Sequence, residues 1–298
     1  MKFTGTWNRT KSENLSGYLM ILPGYAIYIW FVFIPVILTI GYSFTNYDLY
    51  KKKDFIGFHN YIAIFQDQYF LAAIKNTTVY SIFMIIPPMA IGMILAVLVN
   101  EKFIGQKLSR AAIYIPNITS MVSISMVWLW IFDPAYGLLN VFVKFIGLSP
   151  QNWLFNEHYA LPSIILVGVW KTIGYNMIIY LAGLQNIPVS QYEAATVDGA
   201  GALKRFFSIT IPLLQPQTFF LFVMSCINSF NVFEQVNIMT KGGPNDATTT
   251  IVHQIYLRAF GNFQMGYASA MSVLLLILTM IITFINFKFS NQGADIEM

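Results

Sequence analysis

Glu193, Ala194 and Ala195 begin a polar, small-residue segment that runs through Asp198, Gly199 and Ala200 to Ile209 and Pro212. Its chemistry is recognition, not bond making. Ser190 and Glu193 have the spacing of a capping box, which predicts a short helix starting just after Pro188. Gly199 can end that helix by entering the left-handed region, with Asp198 placed to cap a second helix. Two alanines in succession remove bulk and let another surface approach the backbone, while Glu193 offers an exposed acid. Lys204, Arg205, Phe206 and Phe207 give the second helix a basic and an aromatic face. Two readings fit this pattern: a docking knob for a partner, or an amphipathic helix lying among lipid headgroups.

A second group of residues stands in apolar surroundings. Lys171 lies mid-way along a hydrophobic run, with Tyr175 one helical turn further on the same face. A charge at the centre of a membrane helix costs about 2.5–3.5 kcal/mol on insertion scales, so this lysine must face protein or water. Ser225, Asn228 and Ser229 recur at i, i+3 and i+4, a polar stripe on an otherwise apolar helix. Asn117, beside Pro116, is a third candidate of the same kind. Each has a functional reading, lining a path for a polar solute, and a structural one. Lys171 can bond helix-end carbonyls, and small polar residues can join transmembrane helices.

The elements that hold these residues follow from composition. Of 298 residues, 56% are hydrophobic and 10% charged, and the mean hydropathy is +0.60, which marks an integral membrane protein. Six apolar segments, Tyr18–Phe44, Thr77–Val99, Ala111–Phe132, Ala160–Leu184, Leu213–Phe233 and Tyr267–Phe287, are each long enough to span as a helix. Barrel strands would alternate apolar and polar residues over about ten positions, so the reading is all-α, a bundle of six transmembrane helices in the lipid bilayer. The first apolar run exceeds a signal-peptide core and is read as a retained helix. Trp128, Trp130 and Phe132 read as an outer aromatic belt, and His59, His158 and His253 as solvated loop residues. Basic residues divide almost evenly between the two sides. The Lys51–Lys53 run lies in a loop of the side opposite the termini, with acidic neighbours that dilute its weight, and both termini are placed in the cytoplasm.

The loop resembles the EAA motif of ABC importer permeases. Glu193, Ala194, Ala195, Gly199, Ile209, Ile211 and Pro212 fill that long spaced pattern, and Asp198-Gly199-Ala200 is similar to the version in the maltose-type carbohydrate uptake family. Further resemblance runs through Phe132-Asp133-Pro134, Gly137 to Asn140, Met239 to Pro244 and Gly266 to Ala270. The resemblance implies a type I ABC importer permease. It implies a cytoplasmic segment 1–17, a six-helix permease domain 18–289 whose loop 190–212 is the coupling helix, and a cytoplasmic tail 290–298. It also implies partners: a second homologous permease, two nucleotide-binding ATPase subunits, and an extracytoplasmic solute-binding protein that delivers a sugar. In that family the helices flanking the loop contribute to the sugar site, which turns Lys171, Tyr175, Ser225, Asn228, Ser229 and Asn117 toward the path.

Several classes fall away on the same residues. The sequence has no Walker glycine-lysine signature, so ATP and Mg belong to the partner ATPase and this chain carries no cofactor or catalytic residue. One cysteine excludes an internal disulfide or a multi-cysteine metal site. The net charge of +4 is spread over short connections, so no nucleic acid is expected. An ion-coupled secondary carrier would need buried acids or broken helices, and no Asp or Glu lies deep within the six segments. Glycerol phosphate or a polyol remains an alternative cargo for the same machinery.

Overall fold

The computed structural model describes residues 5–49 and 53–294. Lys51, Lys52 and the last residues of the expected tail, 295–298, lie outside the described residues. The chain divides into two compact units, Met1–Ile64 with Arg258–Leu274, and Phe65–Leu257 with Leu275–Met298.

In the first unit, α1 (Gly5–Tyr28) passes through a wider i+5 turn at Ile29–Phe33 into α2 (Ile34–Ser43). The helix thus begins well before the expected first span. Pro35 sits at the start of α2, where its missing N–H is tolerated. Beyond α2 the chain folds back so that Thr45 pairs with Phe55. The Asn60 amide fastens this turn by donating to the carbonyls of Ser43 and Thr45, each at 2.9 Å. Lys53 lies over the rings of Tyr42 and Tyr47, and its 3.0 Å bond to the Tyr42 hydroxyl raises its pKa above the usual lysine value.

A short helix, α3 (His59–Gln66), leads into the second unit, which is organised by two long helices, α4 (Gln68–Asn100) and α8 (Glu157–Gln185). They pack along each other, because both carry apolar side chains on every face. Between them in sequence come α5 (Gln106–Ile118), α6 (Met121–Ile131) and α7 (Leu138–Phe145). After α8 follow α9 (Val189–Val197), α10 (Ala202–Arg205), α11 (Ile211–Leu213) and α12 (Gln215–Phe230). Then come α13 (Glu234–Met239), α14 (Ile251–Tyr256) and α15 (Met265–Ala294). One core cluster gathers Tyr80, Phe132, Ile164, Val167 and Val236; another gathers Met89, Met177, Tyr180, Leu214 and Leu221.

Among the described residues, four helices are long and apolar enough to cross a membrane: Gly17–Ser43, Gln68–Asn100, Glu157–Gln185 and Met265–Asn286. Counting each of two bent helix pairs as one span gives six. The third expected span is broken by 100° between α5 and α6, and a 65° bend where Ala202–Leu213 meets α12 falls at the start of the fifth. Thr119 and Ser120 are both extended at the first break. At the second, Pro212 and Pro216 flank the buried Leu214, each lacking a backbone donor.

Three local expectations are corrected. Phe132 is buried against Trp128 and Trp153 and is core, not part of an outer belt. His253 is buried rather than solvated, because the 234–257 segment packs on α4 through a polar network. Asn76 donates to the carbonyls of Asp246 and Thr249, and the N–H of Ile251 donates to Thr77 Oγ1. The helix after Gly199 is not a separate short one: α10 passes through a wider turn at Phe206–Thr210 into α11.

Candidate functional site

The loop between α8 and α12 is built around one glycine. α9 closes at Asp198, after which Gly199 takes φ +75°. The Gly199 N–H donates to the Thr196 carbonyl at 3.0 Å and the Ala200 N–H to the Ala195 carbonyl at 2.8 Å. This pair of bonds is the Schellman arrangement, which satisfies carbonyls that a helix end would otherwise leave unpaired. The expected capping box does not form. α9 starts at Val189 with Pro188 as its cap and no side-chain bond, because Ser190 already lies inside the first turn. Asp198 likewise terminates α9; Gly201 precedes α10, without a side-chain cap.

Side chains then tie the two arms of the loop together. Arg205 Nη1 donates to Thr196 Oγ1 at 3.0 Å, and the Tyr192 hydroxyl pairs with Thr210 Oγ1 at 2.9 Å. Thr210 is buried and Ile209 half-buried, so the loop is anchored at its return. Its tip is bare: Glu193, Ala194, Asp198 and Pro212 are exposed, and Val197 keeps 87% of its surface in the open. A hollow of about 370 Å³ opens beside it between Tyr192, Glu193, Thr196, Val197 and Arg205. An acid, an uncovered valine and a hollow thus stand exposed together on a crosslinked loop.

The second locus is the break between α5 and α6. α5 lies directly on α8 because Gly174 has no side chain; a Cβ there would run into the Ile113 carbonyl. That contact brings Lys171 to the end of α5. Its ammonium donates to the carbonyls of Pro116 at 3.1 Å, Asn117 at 2.8 Å and Thr119 at 2.8 Å. Three donors meet three acceptors, so the lysine satisfies the backbone at a break in an apolar helix. Glu234 lies close enough to act on Lys171 electrostatically.

Glu234 also lines a cavity of about 310 Å³ with Tyr80, Met121, Asn228, Asn231 and Gln235. Of the expected path residues, Asn228 reaches this cavity, while Lys171 and Asn117 frame the break through the lysine–carbonyl bond. Tyr175 is half-buried and packs on the Met177–Leu214 cluster. Ser225 is half-buried on α12. Ser229 is buried, its hydroxyl bonded to the Cys226 carbonyl of its own helix at 3.0 Å. Glu234, Gln235, Asn231 and Tyr80 were not foreseen. Asn231 continues the stripe three residues past Asn228, a signal open to sequence reading, whereas Glu234 and Gln235 fall just past the expected end of the fifth span.

Compared with known proteins, residues 76–292 match the family described as binding-protein-dependent transport system inner membrane component. The chain belongs to that family. The permease is 34% identical over 274 residues to the sn-glycerol-3-phosphate transport system permease protein UgpA of Yersinia pestis, covering 91% of this chain and 92% of that one. It is 37% identical over 292 residues to the probable ABC transporter permease protein YesP of Bacillus subtilis (strain 168), covering 96% and 94%. Among solved structures it resembles a chain of a bacterial alginate ABC transporter in complex with an alginate pentasaccharide-bound periplasmic protein. There the TM-score is 0.85 at 25% identity, covering 96% of this permease and 97% of that chain. The permease is a multi-pass membrane subunit of an ABC transport system and not an enzyme.

Proposed function

We propose that this permease forms one half of the pathway of an ATP-driven importer for a neutral sugar or oligosaccharide. An extracytoplasmic solute-binding protein delivers the solute, a second homologous permease encloses the other half, and two nucleotide-binding subunits bind ATP and Mg. Both termini are cytoplasmic, which puts the 190–212 loop on the ATPase side and the N-terminal ends of α4 and α8 outside. The observation that carries this reading is the loop itself: a Schellman turn at Gly199 holds Glu193 and Val197 exposed on a short helix fastened by Arg205 and Tyr192. Such a loop transmits a push without deforming, and its bend continues through Leu214 into α12, whose far end bears Asn228.

The cavity supports a neutral cargo. Amides of Asn228, Asn231 and Gln235 and the Tyr80 ring suit hydroxyl groups and a sugar face, whereas the Glu234 carboxylate disfavours an anion. Likeness to a glycerol-3-phosphate permease favours a second reading, a phosphorylated polyol. Lys171 gives that reading little help, since its three donors are already directed at carbonyls. Uptake by the reconstituted complex of radiolabelled neutral oligosaccharides set against glycerol phosphate tests the choice. Uptake confined to glycerol phosphate would overturn the neutral-sugar reading.

A further inference from the structure

A groove of about 1020 Å³ runs along the α4–α8 pair, remote in character from the solute cavity. On α8 it is lined by Pro162, Leu166, Trp170 and Ile173. At 100° per residue these lie on the face opposite Lys171 and Tyr175. On α4 it is lined by Val79 and Phe83. From Glu157 to Ile173 the groove spans about 24 Å at 1.5 Å per residue. Half a bilayer, headgroups included, is about 20–22 Å thick. The groove therefore has the length of one leaflet.

Its two ends differ in chemistry. The end nearest the N-termini of α4 and α8 holds Lys75, Asn76, Glu157, His158, Asn245 and Asp246; the rest is apolar. Lys75 has no hydrogen-bond or ion-pair partner among the described residues, while Glu157 accepts from the Asn245 amide through one carboxylate oxygen. The other oxygen remains for a further donor. A cation and an acid lining the same mouth match a headgroup that carries both charges. Two carboxylates there disfavour a purely anionic lipid.

We infer that this groove is a binding site for one phosphatidylethanolamine molecule. Its phosphate sits on Lys75, its primary ammonium donates to Glu157, and one acyl chain lies between Phe83, Leu166 and Trp170. A quaternary ammonium has no N–H to donate to a carboxylate, which separates this lipid from phosphatidylcholine. The lipid lies in the outer leaflet, a placement that rests on the orientation proposed above. Bound there, it covers apolar side chains that the chain itself leaves open without entering the solute cavity.

The intact complex, reconstituted in phosphatidylcholine vesicles with a trace of phosphatidylethanolamine carrying a photoreactive acyl chain, provides the test. Photolysis should label the α8 peptide containing Leu166 and Trp170. Unlabelled phosphatidylethanolamine should compete at least tenfold better than phosphatidylcholine or phosphatidylglycerol. The pair Lys75→Ala and Glu157→Gln should each reduce labelling at least fivefold while leaving the complex assembled. Equal competition by all three lipids would overturn the site, as would no label on that peptide because a helix of the second permease fills the groove. Solute uptake measured in the same vesicles keeps the two claims apart: an active transporter with no label sinks the lipid site alone.

Discussion

The ammonium of Lys171 lies 2.8 Å from the carbonyl oxygen of Asn117, a bond across 54 residues of chain that closes the open end of α5 on α8. With the bonds to Pro116 and Thr119 it replaces the carbonyl partners that an unbroken helix would supply. The break it stabilises turns the chain by 100° and places Met121 at the wall of the proposed solute cavity.

Lys171→Met should therefore leave three backbone acceptors short of a donor. A single orphaned acceptor costs about 1–3 kcal/mol, so the purified complex should unfold several degrees lower and uptake should fall with it. Lys171→Arg should recover part of both. Thermal unfolding and uptake measured together decide the matter. Unchanged unfolding with abolished uptake would move Lys171 into direct contact with solute.

Asn228→Leu should lower uptake strongly, because it exchanges an amide at the cavity wall for an apolar group of similar size. Assembly with the ATPase subunits should persist, since Asn228 is exposed in the chain. Glu234→Gln should retain sugar uptake and relax rejection of acidic solutes. Dissociation of the complex in Asn228→Leu would instead mark this stripe as helix packing.

His253 gives a pH dependence. Burial pushes its pKa below the ordinary value, with Asp246 opposing the shift. Its Nδ1 lies 3.2 Å from Thr249 Oγ1. The neutral ring is thus the form that fits, and protons bind the unfolded segment more readily than the folded one. Packing of residues 240–257 should be at full strength above about pH 6.5 and weaken as pH falls below it toward the lower folded value. Hydrogen exchange of that segment, corrected for intrinsic rates, should be faster at pH 5.5 than at 7.5 in the wild type and equal at both in His253→Gln. Equal protection in the wild type would contradict this account.

The spans were legible in the sequence because continuous apolar runs of this length have few alternatives. Gly199 was legible for a similar reason: a helix that must turn within one residue needs positive φ, and glycine meets that need. The break after Ile118 was not, since Pro116 reads as a kink inside one span and the donor that stabilises the break, Lys171, comes from another helix. Ser190 and Glu193 had the right spacing but began two residues too late, after a proline that already caps the turn. His253 looked solvated because it falls in an expected outer loop, between the fifth and sixth spans, without metal-ligand spacing. Hydrogen bonds between the backbone of Asp246, Thr249 and Ile251 and the side chains of Asn76 and Thr77 on α4, invisible in sequence, are what bury it. Tyr175, Ser225 and Ser229 were grouped by helical face alone, and a face does not say whether a cavity or a neighbouring helix lies against it.

The central claim, that the 190–212 loop couples ATP hydrolysis to transport, is tested most directly at Gly199. No atom lies within 4 Å of where a Cβ would stand there, so substitution acts through backbone strain and not through a clash. A β-branched residue at φ +75° costs about 1–3 kcal/mol and re-aims Glu193 and Val197, whereas asparagine tolerates the left-handed region. Glu193→Ala, which removes one contact and keeps the loop's shape, should weaken coupling less than Gly199→Val. The measurement is solute-stimulated ATPase activity alongside uptake in vesicles containing the full complex. Gly199→Val should insert normally but lose stimulation and at least tenfold in uptake, with Gly199→Asn close to wild type. Wild-type stimulation and uptake in Gly199→Val would contradict the account and leave the loop as a helix on the lipid surface.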